Sequence, residues 1–174
     1  LDVLGFCERA GVRVLNRATA LLNAHDKLLT ARRLLLAGVP HPKSVFVVPA
    51  ATGVSMPTPL VLKPRFGSWG RDVIRCDSEA DVAAALETIS TRTWFQRQGA
   101  LAQELVPPVG FDLRLLVAGG RVVGAVERIA APGEWRTNVS LGGSRRPVEP
   151  PAEAVRLALA AVDAIEGDLV GVDL

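Results

Sequence analysis

VLKPRFGSWGRDV, residues 61–73, is the stretch on which the reading of this chain turns. It starts as an apolar strand, closes on Lys63 and Pro64, and breaks into a loop in which Gly67 and Gly70 flank Ser68 and Trp69, with Arg71 following. A lysine ending an apolar run sets one cation at the mouth of a sheet. Glycine has no Cβ, so such a loop can bring backbone N–H groups close to a polyphosphate. The GxxxxGK[ST] pattern is absent, so this is not a P-loop. Each feature also has a plain structural counterpart: a lysine that snorkels at a strand end, and a two-glycine turn. Trp69 fits that plainer reading less well, because a large ring at a loop tip usually covers something.

Upstream of the loop, Asp26 is placed to cap a helix over about residues 27–37, stopped by Gly38 with Pro40 and Pro42 just beyond. SVFVV (44–48) and PLVLK (59–63) read as strands joined by a turn-rich segment. Before Asp26, residues 1–24 read as a short helix, a short strand VRVLN (12–16) and a second helix. Downstream, VIRC is a strand, and Ser78 with Asp81 three residues on opens SEADVAAALETI as a capping box. ALAQELV is the next strand. DLRLLVA and RVVGAVERIA follow as a hairpin turning at Gly119 and Gly120. After the loop APGEWRTNVSLGG come a helix over 152–165 and a terminal strand, LVGVDL. Strand pairs with intervening helices, lacking continuous βαβ alternation, give an α+β class.

Composition narrows the partners. A net charge of +2 over 174 residues argues against a broad nucleic-acid-binding face, and the absence of tyrosine argues against base-stacking platforms. Cys7 and Cys76 have neither CxxC nor Cys/His spacing, so neither a zinc site nor a disulfide framework is implied and a reducing cytoplasm is the default. Apolar runs are too short for a membrane span and no signal peptide is visible. The chain starts at Leu1 rather than Met and ends within a strand-like run, so it reads as a fragment.

Further chemical candidates follow along the chain. Gln103 and Glu104 end a strand. Asp112 and Arg114 start another, on one face by alternation; they fit either a surface ion pair or a polar wall for an adenine amine and ribose hydroxyls. Glu127 and Arg128 lie late in an apolar strand, and one of them must face away from the apolar set. Arg136, Thr137 and Asn138 supply a cation, a hydroxyl and an amide in succession, a set suited to phosphoryl oxygens. Asp173 is a single acid in an apolar strand, where a buried carboxylate needs a metal or a cation partner.

Taken in order, HDKLLTARRLLLAGVPHP, VLKPRFGSWGRDV, QELVPPVGFDLRLLVAGGRVVGAVERIA, EWRTNVSLGG and GVDL resemble the RimK/LysX-type glutamate ligases of the ATP-grasp superfamily. The resemblance runs from about residue 12 onward, with GSWGR closest to the LysX side and GEWRTN similar to both. It implies ATP held between two α+β subdomains. The first would be 25–106, the second 107–174 and incomplete, with 1–24 ending a preceding subdomain and linker.

By that resemblance Lys27 and Lys63 contact phosphates and the loop 67–73 (Gly67, Ser68, Trp69, Gly70, Arg71) folds over them. Gln103, Glu104 and Leu105 lie at the adenine, and Asp112 and Arg114 toward the ribose side. Arg128 faces the acid substrate. Arg136, Thr137 and Asn138 meet phosphate and the reacting carboxylate, Arg136 and Asn138 as the catalytic pair. Asp173 is a ligand for Mg2+, with Mn2+ as a substitute. The implied reaction joins a glutamate-like carboxylate to an amine acceptor, a protein tail or carrier protein, through an acyl phosphate. No nucleic acid or membrane is involved, and homo-oligomerisation stays open. The alternative is a non-catalytic nucleotide-binding module of the same fold. Two departures stand out: Asp72 where relatives have glycine or a small apolar residue, and a second metal-binding Glu-x-Asn that would fall beyond Leu174.

Overall fold

A computed structural model describes residues 2–174. In chain order the elements are α1 (Asp2–Arg9), α2 (Ala18–His25), α3 (Lys27–Leu36), β1 (Ser44–Val47), β2 (Leu60–Pro64), β3 (Ile74–Cys76), α4 (Glu79–Ser90), α5 (Thr93–Gln98), β4 (Ala100–Glu104), β5 (Phe111–Ala118), β6 (Arg121–Ile129), β7 (Ser144–Pro147), α6 (Ala152–Ile165) and β8 (Leu169–Asp173), with a 3-10 turn at Val139–Leu141. They form two compact units: His41–Pro107, and the chain up to Pro40 together with Pro108–Leu174.

The 41–107 unit is an antiparallel sheet in the order β1-β4-β2-β3, backed by α4 and α5. Alternation decides its two faces. Leu60, Leu62, Ala100, Ala102 and Val47 pack with Val82, Leu86, Ile89 and Phe95 of the helices. The register pairs Lys63 with Leu101, and Gln103 with both Val61 and Ser44, so these side chains share the opposite face. Helix α4 starts where the capping box predicts: Asp81 N donates to Ser78 Oγ at 3.2 Å and Ser78 N to Asp81 Oδ2 at 2.9 Å. Its apolar residues at 82, 86 and 89 then fall on one face. Gly99 ends α5 at φ +67°, where a Cβ would lie 2.6 Å from the Val47 carbonyl oxygen, so only glycine passes here. Each leucine buried in this core contributes about 2 kcal/mol.

The second unit holds the sheet β7-β6-β5-β8, also antiparallel. Its hairpin turns at Gly119 and Gly120, both at positive φ, as a two-residue hairpin turn of the primed kind requires. Ala154, Ala158, Val162 and Ile165 line the buried side of α6, and the first three pack with Leu115 and Val117. Asp26, 1% exposed, caps α3 by accepting from Leu28 N at 3.0 Å and Leu29 N at 3.4 Å. Asn23 Nδ2 donates to the Ile165 carbonyl and Arg33 pairs with Glu166, which ties α2 and α3 to the end of α6.

Three sequence expectations differ from the structure. VRVLN forms no strand; the Asn16 side chain instead accepts from the Asp168 and Leu169 amides, both at 2.7 Å. Helix α5 and strand β7 were not anticipated, because α5 is barely more than a turn and every residue of β7 is exposed. The compact units divide at 40/41 and 107/108, whereas the sequence placed divisions at 24/25 and 106/107. Helix α3 groups with α6, which the contacts of Asn23 and Arg33 explain.

Candidate functional site

On the face of the 41–107 sheet away from α4 and α5, Lys63 Nζ donates to Gln103 Oε1 at 2.5 Å. Gln103 Nε2 donates to Ser44 Oγ at 2.8 Å and lies 3.4 Å from His41 Nε2. Burial and the Lys63 charge both push the His41 pKa below its usual 6.5, against a hydrogen bond to the Pro42 backbone. The adjoining loop is tightly wound. Gly67 and Gly70 have φ of +136° and +70°, and Trp69 and Asp72 also sit at positive φ. Trp69 is 61% exposed, with the Arg71 guanidinium 4.9 Å from its ring centre. Arg65 lies over Phe66 and Phe46 at 5.4 and 5.7 Å. Asp72 thus holds the left-handed conformation in which a glycine is at ease, one that aspartate tolerates better than most residues.

At the far end of β4, Glu104 and Leu105 border a cavity of about 190 Å³ shared with Lys43, Met56, Pro57, Thr58 and Pro59. Glu104 N donates to the Lys43 carbonyl and Leu105 N, at a long 3.3 Å, to the Pro59 carbonyl.

In the second unit, the face of the sheet away from α6 is polar at its Asp112 end. Register sets Arg128 opposite Asp112, and Asp173 opposite Arg114. Arg128 grips Asp112 with two hydrogen bonds, Nε to Oδ1 at 2.7 Å and Nη2 to Oδ2 at 2.5 Å. Its Nη2 also reaches Asp173 at 3.0 Å. Arg114 grips Asp173 in the same two-pronged way, at 2.6 and 2.7 Å, and Thr137 Oγ1 donates to Asp112. The result is a continuous row, Arg114, Asp173, Arg128, Asp112, Thr137. Burial opposes the Arg128 charge, yet hydrogen bonds and attraction from Asp112 and Asp173 more than restore it. The sequence put Asp112 and Arg114 on one face, and the structure agrees. The ion pair envisaged between them is not formed; each takes its partner from a neighbouring strand. Asp173 is not buried either: its side chain is 45% exposed, and arginines provide the cation partner.

Lys27 is the first residue of α3. Burial lowers its pKa, with Asp26 acting the other way. A cation in the first helical turn is opposed by the helix dipole, so a nearby anion would be welcome there.

Glu134, Asn138 and Gly143 organise the loop 131–143. The Glu134 carboxylate accepts from the amides of Trp135 and Arg136 at 2.9 and 3.0 Å and from the Arg136 guanidinium at 3.0 and 2.8 Å. Hydrogen bonds from Arg136 lower its pKa to about 2. Asn138 carries the turn at Val139–Leu141, its carbonyl accepting from Leu141 N. Gly143 is pressed against this loop: a Cβ there would lie 2.9 Å from the carbonyl oxygens of Thr137 and Ile129. Arg136 is thereby folded onto Glu134, while Thr137 joins the charged row. His41, Ser44, Glu134 and Gly143 were all missed in the sequence. Only Glu134, an acid two residues from Arg136, carried a visible signal there.

The residues fall short of a metal centre. Among the described residues no group of three or more His, Cys, Asp or Glu side chains converges, and Asp173 offers one carboxylate already held by two arginines. No helix among them is long and apolar enough to cross a membrane.

Residues 19–174 match the RimK-like ATP-grasp domain, and the chain belongs to that family. It is 29% identical over 171 residues to the glutamate–LysW ligase ArgX of Sulfurisphaera tokodaii, covering 96% of this chain and 61% of the relative. It is 33% identical over 189 residues to the tetrahydromethanopterin:alpha-L-glutamate ligase of Methanosarcina acetivorans, covering 95% and 57%. The D-alanine–D-alanine ligase from Bacillus anthracis, solved in complex with ATP, has a similar fold at a TM-score of 0.77 and 18% identity, over 98% of this chain and 57% of that one. The α+β architecture is therefore the ATP-grasp fold. The chain spans about six-tenths of the length of these two relatives.

Proposed function

We propose that this chain carries the nucleotide-binding part of an ATP-dependent carboxylate–amine ligase, with glutamate as one of the joined groups. The observation that carries the reading is Lys63, hydrogen-bonded to a neutral amide directly before a loop wound through positive φ. A hydrogen bond to an uncharged amide does not itself offset an ammonium's attraction for phosphate, and the tight loop brings backbone N–H groups within reach of it.

In this reading a carboxylate oxygen attacks the γ-phosphorus of ATP and ADP leaves. The amine nitrogen then attacks the acyl carbon, and phosphate departs with the transferred oxygen. Lys27, Lys63 and the loop 67–73 bind phosphates, Glu104 and Leu105 flank adenine, and Asp112 meets the ribose by exchanging a contact with Arg128 or Thr137. Arg136, Thr137 and Asn138 offer donors to the transferring group, where preorganised donors lower the barrier most. For Arg136 this requires a rotation off Glu134, and for the Thr137 hydroxyl a release from Asp112. Arg128 meets an acid substrate only by giving up an oxygen of Asp173 or Asp112. Asp173 would be a magnesium ligand only once released from both Arg114 and Arg128.

Similarity to the LysW ligase favours a carrier protein as the group joined to glutamate, and similarity to the tetrahydromethanopterin:alpha-L-glutamate ligase favours a pterin cofactor in that place. The test is ADP release by the whole protein. It should require glutamate and an acceptor together, and ADP formed at the same rate without either would exclude the ligase.

A further inference from the structure

The contacts around Gln103 have a definite polarity. Ser44 Oγ donates its single proton to the Pro42 carbonyl at 3.0 Å, so toward Gln103 it can only accept. A neutral imidazole with its lone pair on Nε2 accepts the second amide hydrogen. Both Gln103 donors are then committed to Ser44 and His41, and Oε1 is left facing Lys63 Nζ. A flipped amide would set NH2 against the ammonium, and its oxygen against two acceptors. Ser44, on the edge strand β1, and Lys63, on β2, are both brought to Gln103 on the intervening strand β4.

We propose that Ser44 and His41 are positioning residues which, through Gln103, fix the direction of the Lys63 ammonium at the end of β2 and so set its strength as a phosphate anchor. The proposal rests on the assignment of Lys63 to a nucleotide phosphate. It also gives residue 103 a reason to be an amide: a glutamate there would hold the ammonium equally well but would compete with phosphate for it.

The chain has only three lysines, Lys27, Lys43 and Lys63, so the Lys63 side-chain resonance can be assigned by its loss in Lys63→Arg. The experiment measures that resonance in the ligand-free chain, and ADP affinity in the presence of magnesium by calorimetry. Ser44→Ala and His41→Leu should each move the resonance and weaken ADP binding, and the pair together should weaken it by roughly tenfold, as expected for a misdirected charge-assisted contact. Ser44→Thr keeps the hydroxyl and should restore both readouts. Gln103→Glu should weaken ADP binding at least as much as the double variant.

An unmoved Lys63 resonance in Ser44→Ala/His41→Leu would overturn the relay. A moved resonance with unchanged ADP affinity would leave the geometry standing and overturn the phosphate assignment. Should the double variant not fold, Ser44→Ala alone, a small change on an edge strand, carries the same two readouts.

Discussion

The polar faces of the two sheets use opposite means to fix a cation. In the 41–107 unit the ammonium of Lys63 is directed by a chain of neutral groups, Gln103, Ser44 and His41. In the other unit Arg128 and Arg114 are fixed by the carboxylates of Asp112 and Asp173. Neutral partners set direction without cancelling charge. Carboxylate partners give a stiffer row whose charges are already matched, and a ligand there must exchange partners instead of simply arriving.

This contrast can be broken most severely at Asp112. The Arg128 side chain is 8% exposed and that of Asp112 23%, and removing one member of a desolvated pair typically costs about 3–5 kcal/mol. Asp112→Ala should approach that loss in urea unfolding, tempered by the remaining contact to Asp173. Arg114→Ala breaks an equally well-formed but half-exposed pair, so it should cost no more than about 1 kcal/mol. Equal losses from the two would mean that burial does not govern this row.

Next in size is Lys63→Ala. It should weaken ADP binding roughly tenfold or more, as loss of a charged hydrogen bond does, while leaving the unfolding midpoint nearly unchanged. A large stability loss with normal affinity would make Lys63 a structural residue.

Gly143→Ala sharpens the second face. Its Cβ would press on the carbonyl oxygens of Ile129 and Thr137, and relief by backbone shift typically costs about 1–3 kcal/mol. The shift should loosen Thr137 from Asp112, visible as faster amide exchange in residues 137–143. Unchanged exchange would mean that the loop accommodates a methyl group.

The smallest effect is a pH dependence. The Glu134 pKa is lowered from 4.5 to about 2, so its link to Arg136 contributes stability in full above 4.5 and loses it as pH falls toward 2. Melting temperatures of the wild type and Glu134→Gln should differ by a constant amount from pH 5 to 8 and converge below 4.5. Convergence at neutral pH instead would contradict the assigned link.

Much of this was legible in the sequence because local rules and tertiary packing agreed. Asp26 and Ser78 cap the helices they precede, Gly119 and Gly120 turn the hairpin, and period-two alternation put Asp112 and Arg114 on one face. Partnership was not legible. Which carboxylate meets which arginine depends on register across strands distant in sequence, so Arg114 found Asp173 rather than its near neighbour. His41 and Ser44 were invisible for the same reason, since they matter only once β1 lies beside β4. The strand read in VRVLN failed because Asn16 forms through its side chain the hydrogen bonds expected of a backbone.

The central claim, a ligase that passes through an acyl phosphate, is tested most directly by oxygen transfer. With the acid substrate labelled with 18O in its reacting carboxylate, the whole protein should release phosphate carrying one 18O for each amide formed. Phosphate free of label, with amide still produced, would contradict the account.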